Sequence, residues 1–218
     1  MWWFSQLKNL VVIVPFVLWL FLPLRRSAWR GWLGSHLILV VVVEGLAWWM
    51  RRLSENNHMV YLFYALVDFV IIHMVLFRLT RSEPSKNEMK LAVSLLTVSL
   101  LFVSLTFIEA THVSMSHFIL FSAFTFALHG FVRVYSLSLH TDTPLLQSGG
   151  FWIGASFIVA ATFDVPSLGL GVHYASSNPE LSRNILVVHD VGIVLHYLLC
   201  SVGLVVERNN IRGIERRV

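Results

Sequence analysis

The sequence predicts an all-α, polytopic membrane protein: a single bundle of seven transmembrane helices over residues 1–218, with the N-terminus outside and the C-terminus cytoplasmic. Three observations predict it. Apolar residues make up 56% of the chain and charged residues only 13%, about half the ~25% charge content of soluble domains. Long apolar stretches recur over the whole length, separated by short polar breaks. Crossing a ~30 Å hydrocarbon core takes about 20 helical residues, so seven crossings use roughly 140 positions. Helices are required because unpaired backbone groups are too costly in lipid, and continuous apolar runs do not suit barrel strands.

The predicted spans are 4–24, 32–50, 59–79, 91–110, 117–138, 150–171 and 184–206. The first follows a single Lys8 and ends in Pro23-Leu24-Arg25-Arg26 with no small-residue cleavage site, so it reads as a retained helix rather than a signal peptide. The second stops at the polar run Arg51 to Asn57, and the third at the break containing Arg81, Pro84 and Lys86. The fourth carries Ser94, Thr97 and Ser104 on one stripe, expected to bond neighbouring helices. The fifth aligns Ser122, Thr125, His129, Arg133 and Ser136. That stripe faces the bundle or a partner, with Arg133 reaching toward the headgroups. Pro15 in the first span and Pro166 in the sixth are expected to kink or end their helices. In the seventh, His189, Gly192, Ile193, His196, Cys200 and Gly203 share a face, where small residues permit close helix contact.

Orientation follows from the cations. Lys8, Arg51, Arg52 and Arg183 fall on one side, and the other twelve of the sixteen Lys and Arg on the opposite side. The richer side is cytoplasmic by the positive-inside rule. The net charge of +4 therefore orients the chain and is not a nucleic-acid signal. Cys200 is the only cysteine, which excludes an internal disulfide. Loops and tails this short leave no space for a soluble catalytic domain, so any kinase or DNA-binding function belongs to another chain.

Ionisable residues inside the spans are the functional candidates. By depth, Glu44, Asp68, Glu109, Asp164, His189 and Asp190 collect in the outer half of the bundle. No Lys or Arg shares that depth unless Arg51, Arg52 or Arg183 bends inward. Together with Tyr64 and His196, these residues predict an outward-facing acidic cavity for a metal ion, a proton or an amine. His189, Glu44 and Asp68 are the candidates if the ligand is a metal. Asp68 and His196 lie at similar depth and are expected to pair. His129 and His196, also matched in depth, are the alternative as haem ligands; His73 lies nearby. A retinal protein is excluded, because the last span, from Ile185 to Val206, contains no lysine.

Two resemblances bear on function. The topology is similar to that of the alkaline ceramidases, which implies an intramembrane metal-dependent hydrolase. Ser35-His36 and Asp68 match parts of that pattern, but His189 and His196 are seven apart rather than four. Such a pair lies about 10 Å apart along the helix, too far for one zinc, and His36 is expected at the cytoplasmic end, far from His189. The stretches Tyr64-Ala65-Leu66-Val67-Asp68 and Val188-His189-Asp190 resemble small uncharacterised bacterial seven-helix proteins encoded near sensor histidine kinases. That likeness implies a receptor-like, sensory or accessory subunit of a bacterial cytoplasmic membrane. Its partners would be the lipid bilayer and a membrane or cytoplasmic signalling protein, with no nucleic acid. The basic tail Glu207 to Val218 suits such a contact.

Overall fold

Six long α-helices carry the fold in a computed structural model that describes residues 2–22, 28–53, 58–79, 90, 93–94, 97–98, 112–140, 144–174 and 177–215. They are α1 (Trp2–Leu20), α2 (Ala28–Arg52), α3 (His58–Arg78), α4 (His112–His140), α5 (Gly149–Tyr174) and α6 (Pro179–Glu215), with a 3-10 turn at Leu145–Gln147 before α5. Among the described residues there is no strand. Four stretches of the described residues are long and apolar enough to cross a membrane: Trp29–Met50, Phe118–Leu139, Gly149–Leu168 and Pro179–Ile211. A shorter apolar helix covers Leu10–Leu20. Nearly all of the expected fourth span, 91–110, lies outside the described residues, as does Glu109.

Each helix packs on the next in sequence, and α1 closes back on α6, so the six form a ring. The apolar residues divide accordingly. Leu33, Leu37, Val75, Leu76, Ile153 and Leu204 are buried inside it. Phe63, Phe124, Leu128 and Phe131 stand exposed on the outside, the distribution expected of helices whose outer faces meet lipid rather than water.

Glycine sets the closest approaches. A Cβ on Gly149 would lie 2.8 Å from the Gly203 carbonyl oxygen, and one on Gly203 3.0 Å from that of Gly149. At that crossing α5 and α6 touch backbone to backbone, which any larger residue would prevent. Gly192 does the same against Phe163, where a Cβ would come within 2.4 Å of the Phe163 Cβ. The shared face expected on the last helix is therefore real: Gly192, His196, Cys200 and Gly203 are buried along it.

Several local expectations need correction. Neither proline ends its helix: α1 runs through Pro15 and α5 through Pro166. In α5 the Ser167 hydroxyl donates to the Phe163 carbonyl at 2.5 Å, one way a helix in lipid satisfies groups that a proline disturbs. Thr97, expected to bond a neighbouring helix, bonds its own, as do hydroxyls on two other helices. Thr97 donates to Val93, Ser122 to Phe118 and Ser201 to Tyr197. The segment read as a basic tail remains helical to Glu215. It is docked: Glu207 pairs with Arg30 at 2.5 Å, Asn210 Nδ2–H donates to the Gln147 carbonyl, and Ile211 is buried.

Candidate functional site

The ring encloses a cavity of about 500 Å³ lined from all six helices. Helix periodicity places its polar side chains. His36, Val40 and Glu44 occupy i, i+4 and i+8 of α2, and all three line the wall. Tyr61, Tyr64, Ala65, Asp68 and Ile72 form the corresponding stripe of α3, and His189, Ile193 and His196 that of α6. Asp164 enters from α5. No Lys or Arg is among the described lining residues. Arg52 lies instead over the Trp48 ring, 3.9 Å from its centroid, and Arg183 is exposed.

The cavity has two differently built ends. At one, Asp164 Oδ1 accepts from His189 Nδ1–H at 2.7 Å, with both side chains about a quarter exposed, 24% and 23%. Glu44, on the same wall, has no hydrogen bond or ion pair to any described residue. At the other end, Asp68 Oδ1 accepts from His36 Nδ1–H at 2.6 Å, and both are buried. The His196 ring lies 6.1 Å from the His36 ring, nearly perpendicular to it. Phe157 packs against both, at 5.9 Å and 4.9 Å. The rest of the wall is largely apolar, including Ile72, Phe126 and Ile193.

Of the residues expected at the site, Glu44, Tyr64, Asp68, Asp164, His189 and His196 line this one cavity. Asp190 does not; the next residue on a helix turns about 100° away, and Asp190 is half-buried elsewhere. Glu109 lies outside the described residues. The expected Asp68–His196 bond is not formed, because His36 takes that carboxylate. His36 lines the same cavity as His189 but at its other end, bonded to Asp68. Because α2 starts at Ala28, four residues before the expected boundary, His36 sits two turns inside its helix rather than at its end. Tyr197 was not anticipated there either, although its place four residues after Ile193 puts it on the same face.

His129 belongs to a separate cluster. Arg133 Nε–H donates to His129 Nε2 at 3.1 Å, and His129 Nδ1 bonds His73 Nδ1 at 2.9 Å. Phe69 and Phe77 pack on these rings, the Arg133 guanidinium 5.3 Å from Phe77. Arg133 is thus buried and does not reach for headgroups. Both ring nitrogens of His129 are engaged, so haem ligation by His129 with His196 would break one of these bonds. Among the described residues no three His, Cys, Asp or Glu side chains are grouped to hold a metal ion. The metal candidates Asp68 and His189 are each already bonded to a neighbour.

Compared with family models, with curated proteins and with solved structures, the chain matches none.

Proposed function

We propose that this protein is a seven-span membrane subunit, N-terminus outside and C-terminus cytoplasmic, whose cavity opens outward and binds a small amine-type cation. In this reading it is a receptor-like or accessory component that passes occupancy of the cavity to a signalling partner. The observation that carries it is Glu44: a carboxylate on the cavity wall with no cation and no hydrogen-bond donor among the described residues. Glu44 is half-buried, a setting in which a counter-charge stabilises a carboxylate, and the described lining residues offer none. Two further carboxylates, Asp68 and Asp164, add to the same field. Tyr61, Tyr64 and Tyr197 supply ring faces that attract a cation. The apolar remainder of the wall favours an organic cation over a hydrated metal ion.

The serine matched to the hydrolase pattern, Ser35, is not among the described lining residues of the cavity. Ser35 is exposed and donates to the Gly31 carbonyl at 3.2 Å. Ser122 does line the cavity, but its proton is given to Phe118.

Calorimetric titration of the purified protein in detergent with octylamine tests the reading. Binding is expected, and Glu44→Gln is expected to weaken it tenfold or more, since a charge-assisted hydrogen bond contributes about 1.5–3 kcal/mol. Absence of amine binding, or an affinity indifferent to Glu44→Gln, would refute the proposal.

A further inference from the structure

We infer, resting on the amine-binding reading above, that the ligand is a monoamine with one linear apolar tail whose length the cavity measures against a closed floor. Exposure falls along the cavity from one end to the other. At the Glu44 end, Glu44 and Tyr61 are half-buried, and the Asp164 and His189 side chains are about a quarter exposed. At the far end His36, Ile72, Phe157 and His196 are all buried, and Phe157 packs against both imidazoles. One helical turn further along each wall stand Leu33 on α2, Val75 and Leu76 on α3, Ile153 on α5 and Cys200 on α6. Each lies three or four residues from a lining residue, and so directly beneath it. All five are fully buried and belong to one packed core. Among the described residues the cavity is therefore blind at this end, and a ligand enters and leaves past Glu44.

Polarity is one-sided as well. Asp164 is bonded to His189 and Asp68 to His36, which leaves Glu44 as the uncommitted carboxylate on the wall. An ammonium group belongs there, at the open end. Between Glu44 and the floor the wall carries Val40, Phe126, Ala160 and Ile193, side chains that offer hydrocarbon and no hydrogen bond. A single head and an apolar tail match that order of surfaces.

The floor sets a length. Glu44 and His36 are eight residues apart on the same face of α2, or ~12 Å along the axis. An extended chain advances ~1.2 Å per bond, so the floor stops a tail of about eight to ten carbons. Within that limit each methylene taken out of water raises affinity about fourfold. Beyond it, further methylenes stay outside the cavity and add nothing.

The test is calorimetric titration of the intact protein with ethylamine, octylamine and dodecylamine. Octylamine is expected to bind at least tenfold more tightly than ethylamine, and dodecylamine no more tightly than octylamine. Ala160 is half-buried on the wall, one turn above Phe157. Ala160→Leu is expected to weaken octylamine at least tenfold and to leave ethylamine unchanged. Partition of an amine into detergent is the same for both proteins, so the wild-type-to-variant ratio reads the cavity alone. Should that variant not fold, the wild-type series decides. Equal binding of ethylamine and octylamine, tighter binding of dodecylamine than of octylamine, or an octylamine affinity indifferent to Ala160→Leu overturns the inference while leaving amine binding intact. Failure of all three amines to bind overturns both.

Discussion

Arg133 is 7% exposed, in a helix long and apolar enough to span a bilayer. It donates to His129 and lies against Phe77. Arg133→Met removes the donor and leaves His129 Nε2 an unsatisfied acceptor, a loss of about 1–3 kcal/mol. Thermal melting of the purified variant is expected to show it, and an unchanged melting temperature would mean the bond contributes nothing. Asp68→Asn keeps the shape but replaces a charge-assisted bond to His36 by a neutral one of about half the strength. Lower thermal stability and weaker amine binding are both expected; a variant unaltered in both would show that Asp68 is not coupled to the site. Depth along the spans brought Glu44, Asp68, Asp164 and His189 to the same half of the bundle and matched His196 to Asp68, but it could not fix their partners. A boundary error of four residues shifts a side chain by about 6 Å along the axis, twice the length of a hydrogen bond. That is why Asp68 was paired with His196 rather than with His36, which it touches.

Between elements, the α5–α6 crossing leaves no space for a side chain at Gly149 or Gly203. Gly203→Leu is expected to force the helices apart at a cost of about 1–3 kcal/mol or more. Loss of monodisperse protein on size exclusion, or a lower melting temperature, would register it; a fully stable variant would contradict the crossing. At the same end of the bundle, Glu207→Ala deprives the buried Arg30 of its carboxylate. Breaking such a pair from one side costs about 3–5 kcal/mol in a fully buried setting, whereas an apolar replacement of both partners is tolerated. Because Glu207 is 19% exposed, the effect is expected toward the lower figure, with the double variant Arg30→Met/Glu207→Leu recovering stability. The small-residue face of α6 was legible from its spacing. The end of α6 was not, because Arg208, Asn209 and Arg212 mark where a chain leaves lipid, and a helix has no need to stop there.

For the molecule as a whole, the apolar exterior predicts retention in the membrane fraction after alkaline carbonate washing; release would contradict lipid contact. The proposed topology predicts that tags at the two termini are reached from opposite sides of the membrane. Finding both on one side would remove the odd number of crossings, and with it the direction in which the cavity opens. Composition made the helical membrane class legible at once, since so few charges cannot cover a soluble surface. The ring closure of α1 on α6 was not legible, because it depends on contacts between the most distant parts of the chain. One consequence of α6 concerns mechanics. Its 37 residues form an unbroken rod of ~55 Å, with His189 and His196 gripping the cavity part-way along and Glu215 at the far tip. From His196 to that tip is ~28 Å. A pivot of about 5° at the imidazole would therefore sweep the tip sideways by ~2.5 Å, half a helical turn of travel delivered with no loop to absorb it.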